Sequence, residues 1–436
     1  MACRKVLHAR YVLPVVGEPI ENGFVSIEAG RIAEVGRSSP RGEWLDLGNA
    51  AILPGLVNAH THLEFSGLAQ PLGSPGMRFV NWIRAVIAWR EGRRDDSAMT
   101  IRMGLHECRR EGVTCVGNIS QQQEPQSAYE GAGIDGTRFI EIISPSRDVI
   151  SSIVDLRPKH CPADPIPLTN RNRDSVTELV GSLSNRSPAR DKAEMACWES
   201  GLSPHAPYTV HPDLWETFVG ISTALKLPLA VHLAESYEEM QLLREGAGPL
   251  RDLLESRGSF DERAFPGGKR PLDYLRLLAR ALRALVVHGN YLDDEEIAFL
   301  AGNAEKMALV YCPRTHAFFR HDRYPLEKML AAGVTVALGT DSRASSPDLS
   351  LLAEMRFVAK QFPEIDRERV LALGTLDGAR ALGRANEIGS LEPGKIANLT
   401  VVALPDDAVG DPRHLLLESG GHVTQTWFRG QCVSSV

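Results

Sequence analysis

A chain of 436 residues, 43% hydrophobic and 24% charged, is long enough for one large core with an accessory unit and has the composition of a soluble globular protein. Its formal net charge of −7 leaves no basic excess to neutralise phosphates, which argues against nucleic acid as the main partner. Seven scattered cysteines without CxxC spacing suggest neither a disulfide framework nor a thiolate metal site, and no apolar run approaches the ~20 residues needed to span a bilayer. Met1 to His8 lack the apolar stretch of a signal peptide, so a reducing cytoplasm is the expected compartment.

In chain order, residues 5–50 read as short strands: Val6-Leu7-His8, Tyr11-Val12-Leu13, Gly23 to Ile27 and Arg31 to Val35, separated by hairpin-type breaks. From 51 onward, strands alternate with helical stretches, the pattern of βαβ units around a parallel sheet. The strands are expected at 51–57, 113–117, 138–143, 199–203, 228–233, 284–288, 307–311 and 334–339. Helical spacing is clear at 79–90, from Phe79 through Trp82, Ile83 and Val86 to Trp89, and again over 236–256. The stretch 151–195, rich in Arg, Ser, Pro, Asn and Asp, reads as an insertion between the third and fourth strands. Strand-like runs return at 397–403, 423–428 and 431–433. The expected fold class is α/β: a (β/α)8 TIM-like barrel over 51–383, with a small β-sandwich formed by residues 1–50 and 384–436.

Several apolar runs end in polar residues. His60 and His62, one residue apart on a strand, project on the same side and suit two ligands of one ion. Further strand ends carry His232 and Glu235, then His288, then Asp341 and Ser342. Imidazoles and a carboxylate at C-terminal strand ends match the catalytic face of a barrel and the ligands of a divalent metal holding an activated water. His232 reads as a ligand beside Glu235, a general acid/base; a helix-start carboxylate before a capping Ser236 is the other reading of Glu235. His288 is either a further ligand or a group that orients water or the leaving nitrogen. Asp341, costly to bury without a cation, is the fourth ligand and a proton acceptor. Ser342 either hydrogen-bonds substrate or starts a helix, and His205, stiffened between Pro204 and Pro207, binds substrate or packs its loop.

Taken together, Leu53 to His62, Ser203-Pro204-His205-Ala206-Pro207-Tyr208, His232 to Ser236, Val287-His288-Gly289, Cys312-Pro313-Arg314, Leu338 to Ser342 and Leu391 to Leu399 resemble the amidohydrolase superfamily along nearly the whole chain. The last of these departs from the family at Asn398, where aspartate is usual, far from the chemistry. Within the superfamily the chain is similar to the aminohydrolases grouped with cytosine and guanine deaminases, chlorohydrolases and methylthioadenosine or S-adenosylhomocysteine deaminases. His62-Leu63-Glu64-Phe65-Ser66 with Phe79 to Ile87 is similar to aminodeoxyfutalosine deaminases. Arg138 to Ser144 contains no lysine, which excludes the carboxylated-lysine bridge of two-metal members.

The resemblance implies one divalent ion, Zn2+ or Fe2+, on His60, His62, His232 and Asp341, with Glu235 and His288 acting on water and substrate. The implied reaction is hydrolytic deamination of an amino-substituted ring such as an adenine nucleoside. Loss of chloride, opening of a cyclic amide and a non-catalytic scaffold are the alternatives. Glu64, Phe65 and Trp82 are expected near the pocket, and Arg147 or Arg314 would meet a substrate carboxylate. The expected partners are a small molecule and water, neither nucleic acid nor membrane, with a homodimer as the expected assembly.

Overall fold

β1 (Lys5–Val12) pairs antiparallel with β2 (Ile20–Glu28), which pairs with β3 (Arg31–Gly36). The runs expected as two strands at 6–8 and 11–13 are therefore one. Ala29 and Gly30, with φ of 48° and 74°, form the left-handed pair of a type I′ hairpin, whose twist matches that of its strands. β4 (Glu43–Asp46) and β5 (Ala50–Pro54) run parallel to successive parts of β1. The chain is seen here as a computed structural model that describes residues 4–38, 42–93, 96–121, 124–144, 196–406, 409–418 and 420–435. Arg147 and the insertion expected at 151–195 lie outside the described residues.

The apolar run expected as one strand at 51–57 is split at Gly55 between two sheets. Its first half, β5, belongs with the chain ends, while its second half opens the barrel as β6 (Leu56–Thr61). Gly55 is needed at the crossing, because a Cβ there would lie 2.2 Å from Thr114 Oγ1. The barrel continues with β7 (Val113–Ser120), β8 (Asp135–Ile142), β9 (Trp198–Pro204), β10 (Leu229–Leu233), β11 (Ala284–His288), β12 (Met307–Tyr311) and β13 (Val336–Leu338), all pairing in parallel. A bridge between Thr61 and Asp341 joins the last strand's end to the first. The fold is a (β/α)8 TIM barrel. Val57, Ala59, Cys115, Phe139, Ala230, Leu285, Val287 and Val310 fill its interior, while a larger apolar layer lies between strands and surrounding helices.

Helix Phe79–Gly92 follows the expected span. The helix expected over 236–256 is instead two, Tyr237–Glu245 and Pro249–Ser256. Gly246 and Gly248, at φ of 63° and 102°, end the first and precede Pro249 of the second. Among the described residues no helix is long and apolar enough to cross a membrane.

The strands β14 (Leu399–Ala403), β15 (Val423–Phe428) and β16 (Gln431–Ser435) return to β5, so both chain ends form one sheet of order β16-β15-β14-β5-β1-β2-β3, with β4 against β1. Leu7, Val25, Ile27, Ile52, Leu399, Val401 and Trp427 make its core. Barrel and sheet are tied by Asp135 of β8, which is fully buried. It pairs with Arg384 at 2.9 Å and Arg429 at 3.1 Å and accepts the Cys197 N–H at 2.7 Å. Removing one partner of a buried ion pair strands the other charges, so Asp135→Ala is expected to lower unfolding free energy by about 3–5 kcal/mol in urea titrations.

Candidate active site

The barrel's closing seam and its polar strand ends coincide. The N–H groups of Thr340 and Asp341 both donate to His60 O at 3.1 Å, and Thr61 Oγ1 donates to Asp341 O at 2.8 Å. Below them Asn58 Nδ2 donates to Thr340 Oγ1 at 2.8 Å and its Oδ1 accepts the Thr340 N–H at 3.1 Å. The first and last strands are thereby stitched so that His60, His62 and Asp341 converge. Asp341 Oδ1 lies 3.7 Å from Nε2 of both His60 and His62, and His62 Nε2 lies 3.3 Å from His232 Nε2.

Ala234, His288 and Asp341 adopt positive φ of 54°, 72° and 54°, a conformation disfavoured outside glycine and held here by surrounding bonds. Tyr324 OH donates to His288 O at 2.9 Å. The Glu239 carboxylate accepts the N–H groups of Ala234 and Glu235, each at 2.9 Å, while Ser236 Oγ accepts the Glu239 N–H at 3.1 Å. Ser236 therefore does cap the following helix, and Glu235 is left to face the cavity with Oε1 3.4 Å from His288 Nε2.

One ligand atom from each of His60, His232 and His288, and likewise from His60, His62 and Asp341, lies within 4.8 Å of the others. Burial, reinforced by the neighbouring His60, pushes His62 down to about 3, and burial likewise pushes His288 to about 3 and His232 well below its usual range. The three imidazoles are neutral at pH 7 and offer lone pairs. Burial alone would raise Asp341, but the His60 imidazole 3.7 Å away and the surrounding histidines hold it below the ordinary carboxylate range. His60 Nε2 is buried without a hydrogen-bond partner among the described residues. Neutral imidazoles, an ionised carboxylate and an orphaned ring nitrogen fit a divalent cation. Neither β8 nor β9 carries a lysine to bridge a second one.

Around this cluster lies a cavity of about 290 Å³, near the lower end of small-molecule sites. Phe79, Trp82, Ile83 and Val86 from helix Phe79–Gly92 face Leu250, Leu253 and Leu254 from helix Pro249–Ser256 as its apolar walls. His205, Phe65 and Ser342 line it as well. Trp82 also donates its Nε1–H to Ala344 O at 3.0 Å, which fixes the indole. Glu64 is one layer behind the wall, bound to Arg90 and, at 3.3 Å, to Gln121 Nε2. Arg314 is engaged by Asp348 at 2.7 Å and Glu354 at 2.6 Å and lies outside the cavity lining. Arg147 lies outside the described residues. Sequence reasoning passed over Glu141, a buried carboxylate of β8 in the cavity wall, and Arg90 beside it.

The amidohydrolase family matches residues 51–433. The chain belongs to the amidohydrolase family. Among curated relatives, it is 26% identical over 419 residues to a 5-methylthioadenosine/S-adenosylhomocysteine deaminase of Symbiobacterium thermophilum, covering 92% of this chain and 85% of that protein. It is 28% identical over 379 residues to an aminodeoxyfutalosine deaminase of Deinococcus radiodurans, covering 85% and 80%. The zinc-bound adenosine deaminase structure from Xanthomonas campestris shares the fold, with a TM-score of 0.75, 24% identity and coverage of 99% of this chain and 92% of that one.

Family membership and the donor chemistry agree on a divalent metal, and the seam fixes the spacing of His60, His62 and Asp341. Gly339 lies in that seam, where a Cβ would sit 2.8 Å from His60 O and 2.9 Å from His60 Cβ. Gly339→Ala is expected to cost about 1–3 kcal/mol by overpacking. Calorimetric melting of the apo and metal-loaded forms checks this, and the loaded form should lose the larger share.

Proposed function

We propose that the chain is a mononuclear metal-dependent deaminase that removes the amino group of an aminated heterocycle by hydrolysis, with an adenine-containing nucleoside such as aminodeoxyfutalosine as the first substrate to test. The observation that carries the reading is Glu235, a carboxyl buried at the cavity wall beside His288 and the cluster of imidazoles and Asp341. Burial, with Asp341 and Glu239 nearby, raises its pKa well above the ordinary carboxyl value, which suits a group that passes a proton to substrate. The two relatives above support the reaction class, since both are deaminases.

His60, His62, His232 and Asp341 would hold the ion, and zinc or ferrous iron suits imidazole and carboxylate donors equally. The chemistry such an ion supplies when bound is a water whose pKa is lowered to about 7. The apolar walls hold the ring flat over the polar floor and exclude bulk water. Glu235 then gives its proton to the ring nitrogen next to the carbon bearing the amine, accepts a proton from the attacking water and passes it to the departing amine, and the last hydroxyl proton returns to the Glu235 carboxylate as the carbonyl forms. His288 holds Glu235 and water in line. One water is consumed and one ammonia leaves, with oxygen replacing nitrogen on the ring.

The test is ammonia release by metal-loaded protein from aminodeoxyfutalosine, adenosine, methylthioadenosine, S-adenosylhomocysteine, guanine and cytosine. Glu235→Gln is expected to lower the rate on the preferred compound by about 10²–10⁴-fold while metal content is unchanged. His232→Ala should instead lose stoichiometric metal, as read by elemental analysis. Metal-loaded protein that releases no ammonia from any member would overturn the proposal in favour of chloride loss or cyclic-amide opening.

A further inference from the structure

The ladder between β10 and β11 ends at the pair Leu233 and His288. Past that point both chains turn out of the strand direction, His288 and Gly289 with φ of 72° and 60° and Ala234 with φ of 54°. The two turns nevertheless stay bonded to each other. Gly289 N–H donates to Leu233 O at 3.0 Å and Tyr291 N–H to Ala234 O at 3.3 Å. The next bond outward comes from a side chain: Asn290 Nδ2 donates to Glu235 O at 2.8 Å.

A carbonyl oxygen can only accept, so Asn290 must present its NH2 to it, which fixes the orientation of the amide. Helix Tyr237–Glu245 does not serve that carbonyl: it bonds back as far as Ser236, through Met240 N–H to Ser236 O at 3.2 Å. Glu235 is therefore gripped at both ends of its backbone, its N–H by Glu239 at 2.9 Å and its C=O by Asn290. The two grips come from different elements. Glu239 belongs to the helix after β10, whereas Asn290 follows His288 at the end of β11.

Asn290 is half-buried and does not line the cavity, so it reaches the chemistry only through Glu235. A neutral amide makes the bond without setting a cation beside the Glu235 and Glu239 carboxyl groups. We infer that Asn290 is a positioning residue: by tying the backbone of Glu235 to the turn that carries His288, it sets the approach of the Glu235 carboxyl to the His288 imidazole, 3.4 Å apart. With the two main chains fixed to each other, only the side-chain torsions of Glu235 and His288 are left to adjust that distance. The inference rests on the proposed deamination for the reaction in which the pair acts, and not for the contact itself.

Ammonia release and hydrogen exchange are read together on the metal-loaded protein. Asn290→Ala is expected to lower kcat on the preferred compound about 10- to 100-fold, with KM and metal content little changed, because a displaced acid/base is felt in the transition state and not in ground-state binding. Asn290→Asp, of the same size but able only to accept, should fall as far. In the Glu235→Gln background neither substitution should cost anything more, since the group being positioned is gone. By mass spectrometry, the amides of Ala234 and Glu235 should exchange about 3- to 10-fold faster in Asn290→Ala, with those of β7 unchanged. Losses that multiply with that of Glu235→Gln overturn the positioning role, and so does a rise in KM at unchanged kcat. Unchanged exchange overturns it whatever the kinetics show. Faster exchange in a protein whose wild type releases no ammonia from any compound keeps the clasp and overturns deamination. Ammonia release indifferent to both substitutions keeps deamination and overturns the clasp.

Discussion

The seam where β6 meets the residues after β13 governs the rest of the site. Closing a parallel barrel demands that first and last strands pair, and here the pairing atoms are the backbones of His60, Thr61 and Asp341. The same hydrogen bonds that satisfy the barrel's last open edge therefore set the spacing of a bidding pair of imidazoles and a carboxylate. A change that loosened the seam would shift His60, His62 and Asp341 relative to one another. The polar pair Asn58 and Thr340, buried and mutually bonded, locks the register one step below. It supplies specificity of alignment where apolar packing alone would permit slippage.

Above that floor, the strand ends turn sharply. Ala234, His288 and Asp341 hold left-handed backbones without being glycine, and each is fixed by neighbours rather than by its own preference. The Glu239 carboxylate, the Tyr324 hydroxyl and the His60 carbonyl do the holding. These turns re-aim Glu235 and His288 from the strand direction into the cavity. These left-handed residues lie at the strand ends, above the apolar barrel.

Much of this was legible in the sequence because polar residues interrupt apolar runs at strand ends, and barrel geometry gives such positions a common face. His60, His62, His232, His288 and Asp341 could be gathered on that rule. Glu141 could not, since it sits inside a strand between Ile140 and Ile142 and its supporting groups Glu64, Arg90 and Gln121 come from other elements. Nothing local distinguishes it from a surface glutamate. Arg314 misled in the opposite sense: beside a family-like motif, its charge is spent on Asp348 and Glu354, contacts that no spacing reveals. The split of 51–57 and of 236–256 turned on glycines, at Gly55 by close approach and at Gly246 and Gly248 by positive φ. The hydrophobic pattern runs on through all three.

The strand β5, which leads through Gly55 into β6, lies between β1 on one side and β14 on the other. Leu399 pairs with Pro54 and Ala403 with Ala50, a separation of more than three hundred positions in sequence. Before the chain past residue 399 is in place, β5 is paired only at Ala51 and Ile52, against β1, and the segment carrying His60 and His62 is tethered on one side. Contacts this distant in sequence form late, because the loop they close is long. The segment that carries His60 and His62 is therefore anchored on both sides only once the chain past residue 399 has joined the sheet.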